Sequence, residues 1–106
     1  MIHVVNKRNF EFLDKNPSQI FYIGRPSPLG NPFPMKNETE RDAVCDKYEA
    51  WLLARIAVND LLILQELDRI AEAARQGDVF LVCWCAPKRC HGESIRNYVL
   101  SFLSGG

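Results

Sequence analysis

No stretch of this sequence is apolar for long enough to span a bilayer, and the opening MIHVVNKRNF has no hydrophobic run of signal-peptide length. Neither membrane insertion nor secretion is expected, and the chain is read as cytoplasmic. An excess of one charge is also missing: thirteen Lys and Arg match thirteen Asp and Glu. No global field draws this protein to nucleic acid or a membrane surface, so an anionic ligand must be held by a local cluster of cations. Internal repeats and low-complexity segments are absent, as are the cysteine pairs with two intervening residues that mark zinc ribbons and covalent haem attachment. What remains is an ordinary folded composition, 47% hydrophobic and 25% charged over 106 residues. That length suits one domain, residues 1–106, able to fold without cross-links. The four cysteines are therefore read as reduced thiols.

Ile2 to Val5 is short and β-branched, as a strand requires, and Asn6 ends it. A polar turn at Asp14 to Ser18 precedes a second strand, Ile20 to Ile23, with Phe10, Phe12 and Leu13 expected to pin the intervening segment to the core. Helical spacing of Val44, Tyr48, Trp51, Leu52 and Arg55 predicts a helix from about Glu40 to Ala57, anchored by Trp51. Asn59-Asp60 can interrupt it and cap a second helix whose stripe is Ile63, Leu67, Ile70 and Ala74, ending near Gly77; with no proline there, one bent helix is the alternative. Val79 to Val82 is an apolar run of the kind buried on both faces of a sheet. A last helix begins near Gly92 or Glu93, buries Ile95, Tyr98, Val99 and Phe102, and frays at Ser104 to Gly106. The order β-β-loop-α-α-β-loop-α predicts a small α/β sheet covered by helices, Rossmann-like in the loose sense.

Two loops carry the unusual chemistry. RPSPLGNPFPM, Arg25 to Met35, has four prolines in eleven residues, so neither a helix nor a central strand can run through it. Gly30 is expected to supply positive φ, and Asn31 either to tolerate it or to hold a turn with its amide. CWCAPKRCHG, Cys83 to Gly92, leaves the C-terminal end of a strand and enters a helix N-terminus, where α/β sheets form crevices and free N–H groups attract anions. Cys90 at that positive end, beside Lys88 and Arg89, is expected to have a depressed pKa and serve as nucleophile, with His91 or Cys85 moving protons. Lys88, Arg89 and Arg25 would neutralise a phosphate, with Gly92 allowing close backbone approach. Cys83, Cys85, Cys90 and His91 also offer zinc-ligand atom types, but adjacent Cys90 and His91 are awkward ligands for one ion, and no metal or other cofactor is read as bound. Cys45 is read as a packing residue, and His3, Cys83 and Trp84 as structural. Nucleic acid is a less favoured partner, since no helix shows a basic stripe; a patch joining Lys7, Arg8, Arg25 and Lys88 would raise it.

With these segments in view, the chain resembles the domain-of-unknown-function family 4326, common in bacteria and phages. The resemblance rests on VVNKR at Val4 to Arg8, YIGRPSPLGNPF at Tyr22 to Phe33 and CWCAPKRCHG, with Arg41, Tyr48 and Trp51 following the family's helix pattern. It implies a compact α/β domain with the two loops near one another and a shared site of Asn6, Arg8, Gly24, Arg25, Gly30, Asn31, Pro32, Arg41, Cys83, Cys85, Pro87, Cys90, His91 and Gly92. The reading reached is a small nucleotide- or nucleoside-related enzyme, a transferase or hydrolase, whose partner is a phosphate-bearing small molecule. A non-catalytic nucleotide or anion module and a Cys/His metal protein are the alternatives. Oligomeric state is left open by the sequence.

Overall fold

The computed structural model describes residues 1–105. Three strands form one parallel sheet: β1 (Ile2–Asn6), β2 (Ile20–Tyr22) and β3 (Val79–Cys83), in the order β1-β3-β2. The most apolar strand takes the centre. Ile2 to Asn6 of β1 pair in register with Val79 to Cys83, and Ile20 to Tyr22 of β2 pair with Phe80 to Val82. Lys7 and Ile23 extend these ladders by donating their N–H groups to the carbonyls of Cys83 and Val82 at 2.8 and 3.0 Å. The C-terminal ends of all three strands therefore open on the same edge, where the two sequence motifs begin.

Side-chain alternation decides what each face meets. Ile2, Phe21, Val79, Leu81 and Cys83 join one apolar core with the buried residues of α1 (Arg41–Ala57), α2 (Leu61–Gln76) and α3 (Gly92–Gly105). All three helices thus cover one face. The opposite face carries His3 stacked on Phe80, with Phe10 5.0 Å from the Phe80 ring and Lys15 over both phenyl rings. There the segment between β1 and β2 replaces a helix as cover. Phe10 does its expected part, but Phe12 is exposed and Leu13 is 99% exposed, because one aromatic over Phe80 fills the narrow face of a three-stranded sheet.

Helix ends follow their local chemistry. Asp60 Oδ1 accepts the Ile63 N–H at 3.4 Å as the cap of α2, while Asn59 takes φ 58° to make the break after α1. Gly77 follows the last turn of α2. The buried anchor of α1 is Tyr48 rather than Trp51, which is half-buried, and Arg55 of the expected stripe is exposed, turning to Asp60 at 2.9 Å. In α3, Ile95 and Val99 are buried but Phe102 is 47% exposed, since the helix outruns the sheet beneath it. That helix runs to Gly105 without the fraying expected at Ser104, and Gly106 lies outside the described residues. No helix among the described residues is long and apolar enough to cross a membrane.

Candidate functional site

The Arg25–Met35 loop is fixed by its own hydrogen bonds as well as its prolines. Ser27 N–H donates to the Gly24 carbonyl and Gly30 N–H to the Ser27 carbonyl, each at 2.8 Å. Asn31 Oδ1 accepts the Phe33 N–H at 2.8 Å, the amide-held turn its sequence suggested. Arg25 Nε donates to the Asn31 carbonyl at 2.7 Å, and the buried Tyr48 hydroxyl donates to the Leu29 carbonyl at 2.7 Å, tying the loop to α1. Gly30 does not have the positive φ expected of it. Its reason is closeness: a Cβ there would lie 3.0 Å from the Ser27 carbonyl oxygen and 3.1 Å from the Arg25 backbone.

Asn6 holds the cysteine loop. Its Nδ2 donates to the carbonyls of Trp84 and Ala86, each at 3.0 Å, and its Oδ1 accepts the Arg8 N–H at 2.9 Å. The loop then folds back so that Cys83 Sγ and Cys90 Sγ lie 3.4 Å apart, both buried. The Ala86 N–H donates to Cys83 Sγ at 3.4 Å and the Gly92 N–H to Cys90 Sγ at 3.3 Å. These contacts reverse the expectation for Cys90. The Cys90 thiol donates to Cys83, and that bond, with backbone donors from Ala86 and Cys85 and the nearby Arg41 charge, lowers the Cys83 pKa to about 6 against the cost of burial. Cys90 is pushed up by its bond to Cys83, by burial and by the Cys83 charge. Within the pair, ionisation is favoured at Cys83 and retention of the proton at Cys90.

The helix N-terminus is not the free anion cradle expected. Gly92 N–H is taken by Cys90 Sγ, Glu93 N–H by the Cys90 carbonyl at 3.2 Å and Ser94 N–H by the His91 carbonyl at 3.1 Å. Gly92 instead lets α3 meet the sheet, since a Cβ would sit 2.9 Å from both Ile23 Cδ1 and Val4 Cγ1. Lys88 and Arg89 are also committed elsewhere, Lys88 to Glu38 at 3.4 Å and Arg89 to Asp42 and Asp46 at 3.1 and 2.8 Å. Acidic residues of the short helical turn Glu38–Glu40 and of the first turns of α1 face the loop, which the local sequence around Cys90 did not reveal.

The two loops meet across a cleft of about 450 Å³. Of the residues singled out from sequence, Cys83, Cys85, Cys90, His91, Gly24, Arg25, Asn31 and Arg41 line it, and Asn6, Arg8, Gly30, Lys88 and Gly92 do not. The buried Cys45 of α1 also lines it, as do Tyr22, Phe33, Met35, Val44 and Trp84. Helical phase put Cys45 on the face of Val44 and Tyr48, the one signal that could have found it. Arg41 Nη1 donates to the Arg89 carbonyl at 2.9 Å while Nε and Nη2 hold Glu38 at 2.8 Å. Its pKa is raised, first by Glu38 and then by the Cys85 sulfur. Trp84 Nε1 donates to the Tyr22 hydroxyl at 3.0 Å, with Lys7 within 5.2 Å of both ring centroids and Arg8 6.0 Å from that of Trp84.

His91 lies 2.6 Å by Nε2 from the Ile23 carbonyl. A carbonyl only accepts, so Nε2 carries a hydrogen. Burial lowers the His91 pKa, with Arg25 adding to the shift, so the ring is neutral and Nδ1 keeps a lone pair. The ring packs edge-on against Tyr48 at 4.9 Å. Among the described residues, no group of three or more His, Cys, Asp or Glu side chains is placed to hold a metal ion. Because Nε2 of His91 is taken by the Ile23 carbonyl, Nδ1 is the ring's one remaining acceptor atom.

Neither the comparison with curated proteins nor that with solved structures gives a match. A family profile does match residues 5–101, nearly the whole chain, and it takes in both loops that line the cleft. The chain therefore belongs to the family described as a domain of unknown function, DUF4326.

Proposed function

We propose that the cleft binds a nucleotide or nucleoside and transfers or hydrolyses a group on it through the Cys83–Cys90 pair. One observation carries the reading: a thiolate-forming sulfur pair, two guanidinium groups (Arg25 and Arg41) and an aromatic edge (Tyr22 and Trp84) line the same cleft. Guanidinium groups suit phosphate oxygens and ring faces suit a base. Cys83 is the nucleophile in place of Cys90, attacking an electrophilic centre whose bond to its leaving group breaks with the electron pair. Cys90 holds its proton close to that sulfur, and the free Nδ1 of His91 is the base for water or an acceptor in the second step. Reduced thiols of this kind suit a cytoplasmic setting.

The burial of Cys83, at 1% exposure, favours a second reading in which the cleft binds the same ligand class without covalent chemistry. Titrating the reduced protein with a panel of nucleosides and nucleoside 5′-phosphates, read by thermal shift and by protection of Cys83 from iodoacetamide, tests both. The expected result is a stabilising ligand that protects Cys83, and turnover that Cys83→Ser abolishes. Binding retained in Cys83→Ser with no turnover by the parent protein would leave the binding module; no shift across the panel would overturn the nucleotide reading.

A further inference from the structure

We propose that Cys83 and Cys90 form a reversible disulfide in response to a hydroperoxide, which makes the cleft a redox-modified site. The geometry is the starting point. The two sulfurs are 3.4 Å apart and already share a hydrogen bond, so bond formation needs an approach of only about 1.4 Å to reach the usual S–S length near 2.05 Å. Cys83 ends the central strand and Cys90 lies two residues before the start of α3, with the loop between them clasped by Asn6, so the pairing is held by the fold. Ala86 and Gly92 N–H groups aim at the two sulfurs. Both sulfurs belong to residues lining the cleft, which gives a small oxidant a route to them.

The chemistry balances in two steps. The Cys83 thiolate attacks the terminal oxygen of the hydroperoxide; an S–O bond forms, the O–O bond breaks, and the alkoxide or hydroxide leaving group takes a proton from solvent. Cys90 then attacks the sulfenic sulfur; the S–S bond forms, the S–O bond breaks, and the departing hydroxide leaves as water with the Cys90 proton. Two electrons pass from the thiols to the peroxide. The lowered Cys83 pKa supplies the thiolate for the first step, and Cys90, held protonated beside it, supplies the resolving sulfur for the second. A thiol-disulfide exchange with an external dithiol reverses the change.

Cys85 and Cys45 line the same cleft and are the competing partners. Intact-mass analysis and tryptic mapping after stoichiometric hydrogen peroxide, with thiols blocked before digestion, decide between them. Trypsin cuts after Arg75, Lys88, Arg89 and Arg96, which puts Cys83 and Cys85 on one peptide and Cys90 on another. The expected result is a protein lighter by two hydrogens, the two peptides joined, and the link retained in Cys85→Ser, lost in Cys83→Ser and reversed by dithiothreitol. Fragmentation of the joined wild-type peptides reads the linked sulfur directly, so the test holds even if a variant fails to fold. A Cys85–Cys90 or Cys45-containing link, or sulfinic acid without a disulfide, would overturn the proposal. Its regulatory consequence, loss of nucleotide binding or turnover on oxidation, rests on the function proposed above. The mapping uses no nucleotide, so a disulfide without any bound nucleotide would sink that function alone.

Discussion

At Cys83 the direction of proton release fixes how stability must vary with pH. The folded thiol titrates near 6 and an ordinary thiol near 9, so between those values the unfolded chain holds a proton that folded Cys83 has released. Stability therefore rises with pH across that window and is lost again as pH falls through about 6. Cys90 acts in the opposite sense above about 9, where the unfolded thiol ionises and the folded one does not. His91 adds to the acid limb, because below 6.5 the unfolded imidazole takes up a proton that the buried ring resists. Urea midpoints in the presence of reductant should increase from pH 6 to pH 9 and then decline. Cys83→Ala should flatten the increase; an equally steep one in that variant would place the titrating group elsewhere. Tyr48 offers a second residue-scale test. Tyr48→Phe leaves the Leu29 carbonyl without its donor, and the loss of about 1–3 kcal/mol expected for an unpaired buried group should be seen in the same denaturation series.

Element contacts explain why the two glycine-bearing loops stay in register with the sheet. α3 approaches β1 closely at Gly92, and an alanine there must push both Val4 and Ile23 aside. Val4 is β-branched and stiff, so Gly92→Ala should destabilise the fold by about 1–3 kcal/mol, measured by urea unfolding. The same substitution should speed alkylation of Cys90, whose Sγ lies 3.3 Å from the added carbon. Much of this scale was legible in the sequence. β-branched and apolar runs marked the strands, Asn59-Asp60 marked the helix break, and the prolines marked the stiff loop. Misplacements occurred where one residue's burial depends on another element's length. Phe102 lies past the sheet, Leu13 lies beyond the aromatic cover, and Tyr48 reaches farther into the core than Trp51. Around the site, residue types identified both loops but not the pairing of Lys88 and Arg89 with acids on the preceding helical turns. Nor did they show the 3.4 Å contact that makes Cys83 rather than Cys90 the charged sulfur.

For the molecule as a whole, the balance of thirteen basic and thirteen acidic residues makes salt dependence a sharp discriminator between partner classes. Lys88 and Arg89 are paired with carboxylates and do not line the cleft; Arg25 and Arg41, the latter also paired with Glu38, are the cations that do, with Lys7 and Arg8 over the neighbouring Trp84. A mononucleotide held by two guanidinium groups should lose no more than roughly tenfold in affinity between 50 and 200 mM salt, whereas a single strand tracking six or more cations would lose about three hundredfold or more. Isothermal titration of a binding nucleotide across that range, beside a short single-stranded oligonucleotide, separates the two. A shallow slope for the mononucleotide with negligible oligonucleotide binding supports an enclosed small-molecule site. A steep slope, with the oligonucleotide binding more tightly and Lys7→Ala weakening it, would mean that the Tyr22–Trp84 edge and its two flanking cations extend the cleft into a strand-binding surface.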